Sequence, residues 1–281
     1  MNLQQSADAF CRTLTGSHYE NFVVASKLVP AQLRLDLMRF YAFCRTTDDL
    51  GDESESKAAA IARLARWREE TEAFFAGEPP VHPVFIALAQ TVARRGLEKQ
   101  PFLDLIAANE MDQRVSRYDV WPELEAYCML SAAPVGRVVL RLFGLESPLA
   151  QKLSDDVCIG LQLANHAQDV SRDARIGRCY LLQEDIAREG VTGAVRALVQ
   201  RARSLLASGK TLEGMAPGVL RLQLALYRLG GLAICDAIER SDWRTEVTRP
   251  SVSNRSKMAL LVRAVVEAAQ RAPQVHDAET A

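Results

Sequence analysis

The sequence predicts an all-α fold, built as a single-domain helical bundle around a central cavity. Three observations carry this. Apolar residues recur at intervals of three and four along most of the 281 residues, period-two alternation is hard to find, and the clearest interruptions coincide with Pro and Gly. Helices are expected over 19–29, 31–50, 57–76, 82–95, 101–117, 121–142, 147–174, 191–208, 216–241 and 254–271. Pro30 divides the first two. The segment from Gly77 to Pro80 separates the third from the fourth, and Gly96 to Pro101 the fourth from the fifth. Gly144 to Pro148 precedes the seventh, Gly177 follows it, and Pro250 stands before the last. No linker is long enough to separate two domains, so residues 1–281 read as one helical domain with its core over about 15–270 and a frayed polar tail over 273–281.

Composition narrows the function classes. Hydrophobic residues make up 48% of the chain, enough for a sizeable core, and neither disorder nor a repeat array fits. The 34 basic and 35 acidic residues nearly cancel, which argues against nucleic acid as the main partner. Six scattered cysteines show no paired ligand spacing and read as small buried hydrophobes in a reducing compartment. No uninterrupted apolar run reaches the roughly 18 residues of a membrane span. A cytoplasmic protein is expected, with peripheral contact at the inner face of a membrane left open.

Two segments repeat one chemical idea. Asp48 and Asp52 lie four residues apart in one predicted helix, and Asp169 and Asp173 in another. Four residues advance a helix by about 400° and about 6 Å, so each pair shares a face. Going back along the same faces, Tyr41 and Arg45 precede the first pair, and Gln162 and Asn165 precede the second. Both polar stripes sit among apolar neighbours, Phe40, Ala42 and Phe43 in one case and Leu161, Leu163 and Ala164 in the other. A helix apolar nearly all round is usually central, so both stripes are expected to line one interior cavity. A solvated patch or a salt-bridged helix is the ordinary explanation for one such stripe; two together favour a site.

Aspartate and asparagine oxygens in this spacing suit Mg²⁺, which prefers hard oxygen ligands, keeps several waters and shares its coordination with substrate phosphates. A diphosphate substrate follows. Arg45, Arg172 and Arg178 flank the acid pairs and could donate to phosphate oxygens or form ordinary surface salt bridges. A dry cavity with metals at one end suits a long hydrocarbon diphosphate whose ionisation leaves a carbocation, and Tyr41, Tyr127 and Tyr180 offer ring faces to it. Taken singly, each tyrosine is more often simple packing. No Glu-x-x-His pair, P-loop or dinucleotide fingerprint occurs, so di-iron chemistry, ATP and NADPH are not implied. The four histidines lack a nucleophile signature.

The chain carries His18-Tyr19-Glu20-Asn21-Phe22, the run from Tyr41 to Asp49, Tyr127-Cys128 leading to Ala133-Pro134-Val135-Gly136-Arg137, and Asn165-x-x-Gln168-Asp169-x-x-x-Asp173 with Gly177-Arg178-x-Tyr180-Leu181. On these marks it resembles the squalene and phytoene synthases, the head-to-head isoprenoid synthases, over about residues 15–270. His-Tyr-Glu-Asn-Phe followed by Val-Val-Ala-Ser is most similar to the bacterial hydroxysqualene synthase branch of hopanoid and squalene biosynthesis.

The resemblance implies an isoprenoid synthase helical bundle that ionises presqualene diphosphate with Mg²⁺ and quenches the rearranged cation with water, giving hydroxysqualene. Separate enzymes would supply the substrate and reduce the product. It further implies that Asp48, Asp52, Asn165, Asp169 and Asp173 hold metal. His18, Tyr41 and Arg45 would match diphosphate and reaction-centre positions, and Gln162, Tyr127 and Tyr180 would line the reacting region. Arg255 and Lys257 match a basic C-terminal segment near the phosphates, although Arg255-Ser256-Lys257 alone would read as a solvated face. Departures from the family pattern fall at His166-Ala167, Leu182 and Asn109, none a metal ligand. His166 lies about 100° from the metal stripe, a poor ligand but a neighbour able to support one. Condensation of two farnesyl diphosphates to presqualene diphosphate is the second expectation, and a non-catalytic scaffold relative the remote third.

Overall fold

A computed structural model describes residues 2–16 and 29–270. The predicted helix at 19–29 and the frayed tail therefore lie almost wholly outside the described residues. The elements, in chain order, are α1 (Leu3–Gly16), α2 (Ala31–Asp52), α3 (Lys57–Phe75), α4 (Pro83–Arg95), α5 (Gln100–Asp112), β1 (Arg117–Tyr118), α6 (Trp121–Ser131), α7 (Ala133–Leu142), α8 (Pro148–Gln168), α9 (Val170–Arg175), β2 (Cys179–Leu182), α10 (Gln183–Ala207), α11 (Gly209–Met215), α12 (Gly218–Arg240) and α13 (Asn254–Ala269). The fold is all-α apart from β1 and β2, a short parallel pair.

Local chemistry sets the boundaries. Ser56, Ser147 and Ser253 cap α3, α8 and α13 by accepting from the backbone N–H three residues on, satisfying an otherwise orphaned donor. Pro83 and Pro148 open their helices where a missing N–H costs nothing. Gly96 ends α4 in the left-handed conformation, φ 62°.

The structure corrects four boundaries. The predicted helix 101–117 stops at Asp112, and the residues beyond feed β1. The predicted helix 121–142 divides at Ala132, two residues before Pro134, whose ring cannot continue an unbroken ladder. The predicted helix 147–174 breaks at Asp169, where φ −98° and ψ 12° end α8. Helical residues also precede the predicted start at 191, from Gln183, and Gly190, non-helical at φ 70° and ψ 179°, separates them from the predicted stretch within α10. Helices α1 and α11 were not expected at all.

Two apolar clusters form the interior. One joins α1 to α5 with α7 through Phe40, Phe43, Trp67, Phe85 and Phe102. The other surrounds α8 and α10 through Val157, Leu163, Val195, Leu198 and Leu206, reaching Tyr118, Tyr127 and Tyr180. Helix α8 is central, packing on α7, α10, α11 and α12. Two glycines permit its close crossings. A Cβ on Gly136 of α7 would sit 2.4 Å from Ser154 Oγ, and one on Gly160 would sit 3.1 Å from the Ala202 carbonyl oxygen of α10. Helix α12 is long and apolar enough to cross a bilayer by length and composition. It instead buries Arg228 against Glu213 and packs on α8, α10, α11 and α13, the pattern of a core helix.

Candidate active site

A cavity of about 490 Å³ opens where the two acid stripes face each other. Asp48 and Asp52 come from the last turns of α2, Asn109 and Asp112 from α5, Tyr127 and Ser131 from α6, and Gln162, Asn165 and His166 from α8. Asp169 sits at the α8–α9 junction and Asp173 on α9; Arg178, Tyr180 and Arg249 complete the wall. The helix break at Asp169 does not scatter the second stripe. Asp169 N–H still donates to Asn165 O at 2.9 Å, and Asp173 N–H to Asp169 O at 2.8 Å, so the helical course is nearly preserved.

Three of the carboxylates are matched by the protein's own cations. Arg178 donates to Asp52 at 3.1 Å and lies 3.9 Å from Asp112, while Arg249 pairs with Asp169 and donates to Gln168 Oε1 at 2.9 Å. The strap carrying Arg249, residues 241–253 between α12 and α13, is pinned to the same corner. Gln168 Nε2 donates to Pro250 O at 2.7 Å, and Ser171 N–H to Thr245 O at 3.2 Å. Burial alone would lower the Arg178 pKa, but Asp112, Tyr180 and Asp52 carry it upward, so it stays a cation.

Asp48 is open to the cavity's solvent yet crowded by protein atoms. That crowding pushes its pKa to about 6, with Asp52 adding to the rise and a 3.3 Å hydrogen bond from Asn109 opposing it. Asp173 is likewise raised to about 6, by burial first and then by Asp169. Among the described residues no three carboxylate, imidazole or thiol groups converge closely enough to hold an ion by themselves. The donor set, hard oxygens on two facing walls with room between them, fits Mg²⁺ that keeps waters and takes phosphate oxygens as further ligands.

Beside this polar end stands an aromatic wall. Tyr127 and Tyr180 both donate to Asp112, each at 2.9 Å, so one carboxylate fixes two rings. Tyr118 and His166 both lie nearly parallel to Tyr180, with ring centroids 5.9 Å and 3.7 Å away. Burial, with Arg178 nearby, lowers the His166 pKa to about 3, so the ring is neutral and can accept the Gln162 amide N–H at Nε2, 3.1 Å away. The β1–β2 pairing brings Tyr118 and Tyr180 together across a long sequence separation.

The structure gathers nine of the residues singled out by sequence: Asp48, Asp52, Tyr127, Gln162, Asn165, Asp169, Asp173, Arg178 and Tyr180. It does not bring in five others. Tyr41 lies two turns back along α2 and does not line the cavity; Arg45 turns to Asp49 at 2.5 Å and Glu53 at 3.1 Å, its nearest counter-charges. Arg172 flanks Asp173 without lining the cavity. Arg255 and Lys257 stand exposed on the first turn of α13. His18 lies outside the described residues.

Asp112 and Arg249 were missed. Asp112 had a readable signal, because Asn109 and Asp112 make a polar i,i+3 pair on one face of a helix that also carries Leu105, Ile106 and Ala108. Arg249, in a non-helical strap, had none.

Comparison with known proteins decides the family. Residues 15–256 match the model of the squalene/phytoene synthases. The chain belongs to that family. Squalene/phytoene synthases are head-to-head isoprenoid synthases, and relatives of both branches match. A phytoene synthase of Arthrospira platensis is 31% identical, covering 89% of this chain and 90% of its own length. The hydroxysqualene synthase of Rhodopseudomonas palustris is 35% identical over 70% of this chain and 65% of its own length. The crystal structure of squalene synthase HpnC from Alicyclobacillus acidocaldarius superposes with a TM-score of 0.80 at 43% identity, covering 85% of this chain and 95% of that one. A dehydrosqualene synthase superposes at 0.83 with 22% identity, a likeness of fold.

Proposed function

We propose that this squalene/phytoene synthase family member is a Mg²⁺-dependent lyase that converts presqualene diphosphate to hydroxysqualene. The observation that carries the proposal is the pairing of two acidic walls, with Arg178 on Asp52 and Arg249 on Asp169, with an aromatic wall containing a neutral His166. The 43% identity with squalene synthase HpnC and the 35% identity with a hydroxysqualene synthase support the branch.

When bound, Mg²⁺ would supply positive charge to the departing diphosphate; Asp48, Asp52, Asn165, Asp169 and Asp173 would hold it. Arg178 and Arg249, now on carboxylates, are free to turn to phosphate oxygens once those carboxylates engage metal. The phenols of Tyr127 and Tyr180 are tied to Asp112, which fixes the orientation of rings able to stabilise a carbocation through their faces. His166 stays uncharged, so it adds no repulsion to a cation beside it. Ser131 Oγ is buried on the cavity wall with no partner among the described residues, and a water held there would satisfy it. That water would add through its oxygen to the cation and pass a proton to the released diphosphate, leaving the alcohol.

Purified protein given presqualene diphosphate and Mg²⁺ without NADPH should release hydroxysqualene, identified by mass spectrometry. No turnover, or squalene alone, would sink the reading. Condensation of two farnesyl diphosphates is the second reading, supported by 28% identity over 90% of this chain to the presqualene diphosphate synthase of Rhodopseudomonas palustris. Farnesyl diphosphate as sole substrate separates the two.

A further inference from the structure

Helix α13 is apolar on two faces, and only one of them is covered. Its inner face sets Ala264 in a small cluster with Leu222, Ala225 and Leu229 of α12, with Leu260 and Ala268 alongside. Met258, Val262, Val265 and Val266 follow at i, i+4, i+7 and i+8, which places them within about a third of the helix circumference on the other side. They are between 48% and 62% exposed, and among the described residues α13 packs closely only on α12. The orientation is fixed by charge. Glu267 accepts from Arg228 of α12, from Lys210 of α11 and from Arg263 of its own helix, and these partners bring its carboxyl down to about 2 although burial opposes them. The helix therefore presents the apolar stripe outward as a settled feature. Scattered exposed hydrophobes are ordinary, but four in one helical stripe mark a contact surface.

The charges around the stripe identify what it meets. From Arg244 to Arg263 there are five cations, Arg244, Arg249, Arg255, Lys257 and Arg263, against one carboxylate, Glu246, in a chain whose net charge is −1. Arg255 and Lys257, on the first turn, are exposed and make no hydrogen bond or ion pair among the described residues. Val247, on the strap leading into α13, is also exposed. An apolar stripe bordered by unpaired cations is the make-up of a helix that lies in the interface of a bilayer bearing anionic headgroups. We propose that the outer face of α13 docks this protein on an anionic lipid surface, with Met258, Val262, Val265 and Val266 in the acyl boundary and Arg255 and Lys257 on headgroup phosphates. The strap would then tie this contact to the cavity, because Arg249 lies five residues before the first residue of the helix. The inference does not depend on which reaction the cavity performs.

The test is co-sedimentation of the full chain, without substrate, with vesicles of phosphatidylcholine alone or mixed with phosphatidylglycerol. Binding to the mixed vesicles, at least tenfold weaker on phosphatidylcholine, is expected, and Met258→Ser with Val262→Ser and Val266→Ser should weaken it by a further tenfold without changing the melting temperature. Hydrogen exchange on the unaltered protein gives a check that needs no variant: vesicles should slow exchange over 254–269. Absence of binding to both vesicle types, or binding with no protection in that segment, overturns the proposal. So would a concentration-dependent dimer in light scattering that the triple variant abolishes, since the stripe would then belong to a second copy.

Discussion

The two ends of α2 treat acidic side chains in opposite ways. Near its start, Asp36 is fully buried and surrounded by Arg39, Arg94 and Arg95, with Thr91 donating to it at 2.8 Å; Arg39 also makes a two-pronged contact with Asp8 of α1. Near its end, Asp48 and Asp52 face a cavity, helped by one asparagine amide and one shared arginine. The first cluster carries enough cation to neutralise itself, so it fastens α1 to α2 and α4. The second is left short of positive charge, and Asp48, crowded by protein atoms first and by Asp52 after that, is raised to about 6. Within one helix, acid that supports the fold is matched by the protein's own arginines, and acid reserved for a ligand is not.

The largest expected effect tests the unmatched end. Asp48→Asn or Asp169→Asn should lower turnover by about 10³-fold, the scale of losing a preorganised electrostatic contact in a transition state. Thermal stability should hold or rise for Asp48→Asn, which removes a charge disfavoured by burial and by Asp52, and should fall by no more than about 1 kcal/mol for Asp169→Asn, which weakens the Arg249 pair. A matching loss of stability would erase the contrast between the two ends.

Asp36→Asn should do the reverse. It leaves the three arginines without their shared counter-charge and should reduce folding stability by roughly 3 kcal/mol in a denaturant titration, at the lower end for a broken buried pair because Arg94 and Arg95 are partly exposed. Turnover by the protein that remains folded should be close to normal.

The pH response separates the ends without mutation. The folded-state pKa values of Asp48 and Asp173 lie near 6, above the ordinary 3.8, so the folded protein binds protons more readily than the unfolded chain between those values. Metal-free protein should therefore gain stability as pH falls from 7 towards 4.5. Below that, Glu267, whose folded pKa is depressed to about 2, begins to lose its contribution, and stability should turn down. Asp48→Asn should flatten the rise, and Mg²⁺ binding measured by calorimetry should weaken through pH 6 as protons compete. A melting temperature that falls steadily from pH 7 would contradict the assignment.

The smallest effect probes the aromatic wall. Tyr127→Phe removes one of the two phenol bonds to Asp112 and should reduce stability by about 1 kcal/mol. Its use is in the products: a ring freed from its tether should broaden the product distribution more than it slows consumption of substrate.

Much of this was legible in the sequence, because it was written in periodicity and local spacing. The i,i+4 acids and the polar residues one turn before them mark a face of a helix regardless of what packs there, so Gln162, Asn165 and the four aspartates were found. Helix ends were readable where capping chemistry is local, as at Ser147-Pro148. What escaped depends on distant partners. Asp112 gains its place from two tyrosines 15 and 68 residues away, and Arg249 from an aspartate 80 residues back. Arg45 shares its helical face with Asp48, but a long side chain follows the nearest carboxylates, and these were Asp49 and Glu53. The break at Asp169 is equally invisible, since no Pro or Gly announces it.

The short β1–β2 ladder also sets an order of assembly. Arg117 pairs with Cys179 across 62 residues, and the segment between them contains α6, α7, α8 and α9. Closing so long a loop forfeits chain entropy that a two-residue ladder cannot return, so the strands are expected to meet only after the intervening helices have packed. Tyr118 and Tyr180 stack at that meeting point. The scaffold would therefore be largely built before its aromatic wall exists, and refolding followed by tyrosine environment should lag behind the recovery of helix.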